Sequence, residues 1–358
     1  MRAVAGRPTR PWMLLLAALL ACAAPACAAQ GQTQREEPWL WLDDGHVRLA
    51  IAPDLGGRVV HLSLPDRPNL LKVGAALAQV PPPEPAADGI DIPYLGHVLW
   101  TGPQSGWWLD QDVHPGRREA AAPWPPDPWL AYGRNRVVER SAYAVALEGV
   151  DSPVSGLRAR QRYRLSGRAP ATVELEAGAV NVRDREIERD LWFNTRLPAA
   201  SRVFVPVARP EDARLRADGD DFFAGPVAWW EDGLFSLQAD PPPQGKGGRR
   251  GKVFIRPSAG WIAGFNAGQL LLIRFDLQPD ASIHPEHGQV EVYQQWHHDD
   301  PDAGLLELEV HAPLRMLAPG ESMRAAETWT VLPYDGPEML EAQRAALLEA
   351  LGEVGLAP

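Results

Sequence analysis

From Trp39 onward the chain alternates apolar and polar residues in short stretches, as in Val47-Arg48-Leu49-Ala50-Ile51 and Arg58-Val59-Val60-His61-Leu62, each closed by Gly, Pro, Asp or Asn. A period of two marks strands with one buried face. The same pattern predicts strands over 135–150, 157–165, 171–182, 187–197, 226–239, 252–256, 260–265, 269–277, 289–296, 304–312 and 321–332. Residues 261–265 and 270–274 flank Asn266-Ala267-Gly268, a short loop with the glycine a hairpin needs. Helical periodicity emerges only beyond Pro337, where Met339, Leu340, Ala345, Leu347, Leu348 and Leu351 fall on and around one face. A long run of strands with one C-terminal helix predicts an all-β sandwich of antiparallel strands, since a parallel sheet needs a helix between most of its strands. No repeat of propeller or solenoid length is visible.

The N-terminus departs from this pattern. Arg2, Arg7 and Arg10 precede an apolar run from Trp12 to Ala24, too short to span a bilayer, and the small residues Ala26-Cys27-Ala28 follow. This reads as a signal peptide over 1–28 and places the protein outside the cytoplasm, in the periplasm or cell envelope. Two processing routes are open: cleavage after Ala28, or a lipid anchor at Cys22, where Leu19-Leu20-Ala21-Cys22 resembles a lipobox. The organisation expected is signal peptide 1–28, β-domain 29–335, and C-terminal helix and tail 336–358. No membrane span is expected in the mature chain.

Composition narrows the chemistry. Both of the 2 cysteines, Cys22 and Cys27, lie in the signal segment, so the body has no disulfide, thiolate metal site or cysteine nucleophile and must rest on its apolar core. Hydrophobic residues at 45% supply that core, and the net charge of −11 disfavours nucleic acid and anionic lipid as partners. The 36 prolines and 32 glycines follow no three-residue period, so they punctuate short elements.

Residues 80–130 form a proline-rich interruption carrying Trp100, Trp107, Trp108, Trp124 and Trp129. Long loops in compact domains are often functional. These indoles either cap one end of the core or line a cleft, where a flat apolar face and an N–H suit a sugar ring. There is no G-x-S-x-G elbow, no H-E-x-x-H and no P-loop. The run His297-His298-Asp299-Asp300-Pro301-Asp302 lacks the spacing of a calcium loop, and neighbouring side chains on a strand point apart. No metal and no cofactor is expected.

Two charged patterns remain. Arg158, Arg160, Arg162 and Arg164 share one strand face, and Glu174 and Glu176 a face of its expected partner, which predicts cross-strand ion pairs on an exposed surface. In Leu306-Glu307-Leu308-Glu309-Val310-His311 the aliphatic residues can pack inward while two carboxylates and an imidazole project together from the other side. Facing a cleft, they make a proton donor beside a base; facing water, they solvate an edge.

The run Ile51-Ala52-Pro53-Asp54-Leu55-Gly56-Gly57-Arg58-Val59-Val60, followed by Asn69-Leu70-Leu71, resembles the opening of galactose mutarotase-like (aldose 1-epimerase-like) proteins, and is most similar to an uncharacterised bacterial branch of that superfamily. The likeness continues through Leu99-Trp100-Thr101-Gly102-Pro103-Gln104, Trp124-Pro125-Pro126-Asp127-Pro128, Asp151-Ser152-Pro153-Val154-Ser155-Gly156 and Asp190-Leu191-Trp192-Phe193-Asn194-Thr195. Lys252, Gly260-Trp261-Ile262-Ala263, Val290-Glu291-Val292-Tyr293, Leu306-Glu307-Leu308-Glu309 with Pro313, and Leu317-Ala318-Pro319-Gly320-Glu321-Ser322 before Glu327-Thr328-Trp329 keep the order. The resemblance implies a β-supersandwich.

In mutarotases a mid-chain histidine protonates the ring oxygen while a late glutamate takes the anomeric proton. The resemblance puts Glu309 in the glutamate's place. Where the histidine is expected this chain has Trp192-Phe193-Asn194-Thr195-Arg196, and Asn194 can bind a hydroxyl but cannot act as a general acid. His97 parallels a second, substrate-positioning histidine. One reading is therefore a carbohydrate-binding protein using Arg58, Trp100, Gln104, Trp107 or Trp108, Asn194 and Lys252, with Glu309 and Glu291 accepting from sugar hydroxyls. Another is an epimerase, mutarotase or lyase with Glu309 as base and His97, His311 or Glu291 supplying the proton. A third is a non-catalytic structural role in the envelope.

Overall fold

The computed structural model describes residues 38–79, 81–238 and 241–356; the expected signal peptide 1–28, with Cys22 and Cys27, lies outside the described residues. The alternating stretches form strands β1 (Leu40–Asp43), β2 (Arg48–Ala52), β3 (Arg58–Ser63), β4 (His97–Gly102), β5 (Arg136–Arg140), β6 (Ala144–Glu148) and β7 (Leu157–Leu165). Then follow β8 (Ala171–Asn181), β9 (Ile187–Pro198), β10 (Arg202–Pro206), β11 (Ala213–Ala217), β12 (Phe223–Ala224), β13 (Val227–Glu231) and β14 (Leu234–Gln238). The last are β15 (Gly248–Ile255), β16 (Trp261–Asn266), β17 (Gln269–Phe275), β18 (Val290–His297), β19 (Leu305–His311), β20 (Arg315–Leu317) and β21 (Ser322–Pro333). Short helices α1 (Pro115–Glu119) and α2 (Pro128–Tyr132) lie in the proline-rich interruption, and α3 (Leu340–Glu353) follows the last strand. No helix among the described residues is long and apolar enough to cross a membrane.

Two sheets result. One runs β1-β2-β3-β4-β9-β19-β18-β15-β11, with β12 beside β15 and β20 beside β9; the other runs β13-β14-β10-β16-β17-β21-β8-β7-β6-β5. Pairing is antiparallel throughout except for the two-residue β12 against β15. The expected antiparallel sandwich is thus the fold. Leu157, Ala159, Tyr163 and Leu165 of β7 and Phe193, Leu308 and Val310 of β9 and β19 enter one continuous apolar core. Leu270-Leu271-Leu272-Ile273 has no alternation because β17 is covered on both faces: Leu271 and Ile273 enter that core, while Leu270 and Leu272 meet Leu347, Ala350 and Leu351 of α3.

The Gly56-Gly57-Arg58 turn has a steric cause. Both glycines have positive φ, at 70° and 73°, and a Cβ at Gly56 would stand 2.2 Å from the Leu130 carbonyl oxygen. Only glycine admits both the left-handed backbone and that approach. Two further motifs meet each other: the Asp127 carboxylate accepts from Trp129 N at 2.9 Å, capping α2, and from Ser155 N at 3.1 Å and the Ser152 hydroxyl. This buried knot ties residues 124–129 to the loop at 151–156 and fixes the interruption in place.

Candidate functional site

The outward face of the first sheet, away from the sandwich core, carries the charges. In the β9–β19 ladder, Glu309 stands opposite Asn194, Glu307 opposite Arg196 and His311 opposite Trp192. Trp100 of β4 is opposite Trp192, and Glu291 and Tyr293 of β18 are opposite Glu309 and Glu307. Lys252 of β15 pairs with Tyr293. Because partners in register share a face, these residues form one polar surface across five strands.

At its centre Lys252 donates through Nζ to Glu291 Oε2 at 2.6 Å and to Glu309 Oε2 at 2.9 Å, with both carboxylates wholly buried. Trp192 Nε1 donates to the same Glu309 oxygen at 2.8 Å, and the ammonium stands 4.8 Å from the Trp192 ring centre. Glu309 Oε1 and both amide atoms of Asn194 are buried and have no hydrogen-bond partner among the described residues. A donor and an acceptor left orphaned side by side are costly in a dry interior.

Electrostatics divides the two carboxyls. Burial raises Glu309 to about 8, against the pull of Lys252 and with help from Glu307 and Glu291. Glu291 is held well below the ordinary carboxylate range, because Lys252, His311 and His287 outweigh its burial. Burial alone would lower the Lys252 ammonium, but Glu309 and Glu291 raise it, so one cation is shared and Glu291 keeps the negative charge. Burial likewise opposes the His311 imidazolium, and Asp190 and Glu291 raise it to about 9.

Histidines close one side. His287, in the loop before β18, places Nδ1 2.8 Å from Glu291 Oε1 and stacks on His311 at 4.1 Å. His311 Nδ1 is 3.2 Å from Asp190 Oδ2, whose partner oxygen accepts from Gly102 N at 2.6 Å. Glu286 Oε1 lies 3.0 Å from His287 Nε2 and accepts from Ser105 N at 3.1 Å. Two groups of donor atoms within 4.8 Å of one another result: His284, Glu286 and His287; and His287, Glu291 and His311.

Of the residues singled out from sequence, Glu309, Glu291, Lys252, Asn194, His311 and Trp100 meet on this face. Trp100 carries the Arg196 guanidinium at 4.8 Å from its ring centre, and Arg196 pairs with Glu307 at 2.7 Å. Gln104 borders it, with its backbone N–H 3.4 Å from His287 Nε2 and its side chain on Pro123 O. His97 does not join them: it faces the sandwich core, bonded to Thr195 Oγ1 at 2.9 Å and edge-on to Trp329, and burial lowers it to about 3. Its register partner Thr195 alternates with Asn194, so His97 points away from Glu309. Arg58 spends its guanidinium on the Leu95 and Ala131 carbonyls. Trp107 and Trp108 are buried and donate to the Thr101 and Pro125 carbonyls. Trp100, Trp107, Trp124 and Trp192 pack against one another, and only Trp124, at 49% exposure, opens to solvent. The indoles thus cap this end of the fold more than they line an open cleft.

Trp192, Asp190, Glu286 and His287 were not picked out as site residues from sequence. His284-Pro285-Glu286-His287 held a signal: imidazoles and a carboxylate packed into four residues, just before the strand of Glu291. Among the described residues this segment, not 297–302, gathers potential ligand atoms.

A galactose mutarotase-like protein from Lactobacillus casei shares the fold with a TM-score of 0.52 and 11% identity, over 82% of this chain and 100% of that one. One from Clostridium acetobutylicum gives a TM-score of 0.46 and 12% identity, over 82% and 95%. No curated protein matches the chain in sequence. The architecture is therefore the galactose mutarotase-like β-sandwich. The family described as "Domain of unknown function (DUF4380)" matches residues 39–332, which takes in every strand of both sheets but the final residue of β21, and the chain belongs to that family.

Proposed function

We propose that the polar face of the first sheet binds a carbohydrate, with Asn194 and Glu309 making the central hydrogen bonds and Lys252, Trp192 and Trp100 framing them. The observation that carries this reading is the pair of adjacent buried orphans, the Asn194 amide and Glu309 Oε1. Vicinal hydroxyls, each able to donate and to accept, satisfy such a pair. Neighbouring proteins of the same fold bear galactose mutarotase names, which supports the ligand class.

The test is a panel of mono- and oligosaccharides screened by thermal shift, followed by calorimetry on any hit. A binding sugar is expected to raise the melting temperature of the wild type and to lose about tenfold or more in affinity with Asn194→Ala, the size of one buried hydrogen bond to a ligand. A panel without a hit, or equal binding by Asn194→Ala, overturns the reading.

Epimerisation is a second reading, favoured by the ionisable groups that stand within one sugar's width of Glu309: Lys252 bonded to it, and Glu291 and His311 beyond. Polarimetry on the bound sugar separates the two. Accelerated anomerisation that Glu309→Gln abolishes supports an isomerase; binding without acceleration supports a binding protein.

Export to the periplasm or cell envelope belongs to the same proposal, supported by the arginine-flanked apolar segment before Ala28. The mass of the mature chain decides between cleavage after Ala28 and lipidation at Cys22, and a full-length cytoplasmic chain would refute export.

A further inference from the structure

We propose that His287, Glu291 and His311 form a binding site for a divalent transition cation of the zinc class. One donor atom from each of the three lies within 4.8 Å of the others, at the meeting of the loop before β18 with β18 and β19, and His287 Nδ1 and His311 Nε2 stand 2.8 and 3.7 Å from Glu291 Oε1. Two imidazole nitrogens and one carboxylate oxygen are a donor set for zinc-like ions; magnesium and calcium ask for more oxygens.

The surroundings make the stronger case. A metal-bound histidine almost always has its other nitrogen fixed by a carboxylate or carbonyl. Here both do: Asp190 Oδ2 is 3.2 Å from His311 Nδ1, and Glu286 Oε1 is 3.0 Å from His287 Nε2. Each orienting carboxylate is itself held by a backbone N–H, from Gly102 and Ser105 respectively. Glu291 is steadied through its second oxygen by Lys252.

These contacts leave His311 Nε2 turned toward Glu291 Oε1 at 3.7 Å, fully buried and with no hydrogen-bond partner among the described residues. With its proton displaced by an incoming cation, a nitrogen so oriented is a ligand position. The two rings stack at 4.1 Å and 26°, so a cation at the usual distance of about 2.0–2.1 Å requires the His287 ring to turn. His287 sits on a loop, which allows that turn, while His311 stays fixed in its strand. Three protein ligands leave a fourth position for an exchangeable ligand.

Cobalt(II) and zinc(II) titrations of the full, untagged chain, carrying Cys22→Ser and Cys27→Ser to remove competing thiols, test this site independently of any saccharide. One Co2+ per chain is expected, with visible d–d absorption that Zn2+ displaces and Mg2+ and Ca2+ do not. His287→Ala, on the loop, is expected to abolish saturable binding while melting as the wild type does without metal. Glu286→Gln is expected to weaken binding about 10–100-fold, as loss of an orienting partner does. Absence of saturable Co2+ or Zn2+ binding overturns the proposal, as does binding that survives both His287→Ala and Glu291→Gln. Binding lost in Glu286→Gln but kept in His311→Ala overturns it too, since the ion would then sit among His284, Glu286 and His287.

Discussion

The two sheets each carry a row of charged residues on the face away from the core, and the rows behave oppositely. On the second sheet Arg158, Arg160, Arg162 and Arg164 project from β7 and pair with Asp151, Glu148, Glu139 and Glu174, with the four arginine side chains 36–67% exposed. On the first sheet Lys252, Glu291, Glu309 and His311 stand on one face of three neighbouring strands, yet they are almost completely buried, with the His287 loop packed against Glu291 and His311. Water screens the exposed row, so each pair there contributes little. The buried row is withdrawn from bulk solvent, and each charge there depends on a specific partner. Alternation in a sequence therefore marks a polar face without saying whether that face is wet.

Lys252→Met breaks the contrast most sharply. It leaves Glu291 and Glu309 without their shared cation and is expected to cost about 3–5 kcal/mol of unfolding free energy, read from urea midpoints. A loss below 1 kcal/mol would make the buried row no different from the exposed one.

A buried carboxyl without an ion-pair partner among the described residues sharpens the comparison. Glu327 faces the sandwich core with only Trp329 Nε1, among the described residues, donating to its side chain, at 2.8 Å, and burial raises it from 4.5 to about 8. Between those values the folded chain holds a proton that the unfolded chain has released. The Glu327 contribution is thus complete below about pH 4.5 and is lost as the pH rises through about 8. Wild-type stability is expected to fall more steeply over that window than that of Glu327→Gln, by up to ~1.4 kcal/mol per pH unit. Parallel pH profiles for the two proteins would refute this.

The smallest effect belongs to the exposed row. Arg162→Ala is expected to change stability by about 0.2–1 kcal/mol, shrinking further in high salt. A larger, salt-resistant loss would mean that this face is covered in solution.

Much of the fold was legible in the sequence. The β7 stripe announced an exposed face because its arginines alternate with Leu157, Ala159, Tyr163 and Leu165, and of the cross-strand pairs expected with Glu174 and Glu176 one, Arg164–Glu174, forms; the other arginines turn instead to β5, β6 and Asp151. The site was legible only in part. Glu307, Glu309 and His311 can be placed on one face by alternation, but Glu291 enters only through resemblance, Lys252 through resemblance and a basic run, and His97, expected to serve the same site as Glu309, is turned to the core by register. His287 belongs to no periodic element, so no pattern could aim it.

What the sequence by itself determined is what local sterics and burial dictate: alternating strands, the double-glycine turn, the helix after Pro337 and a body without cysteine. Only the tertiary structure decided which polar face is sealed, which carboxyl keeps its charge, and which histidine reaches Glu291. Those outcomes depend on strand order and on a loop folded across it, bringing together residues as distant as Asp190 and His311, and the electrostatic energy of a charge is set by neighbours that the chain's linear order does not reveal.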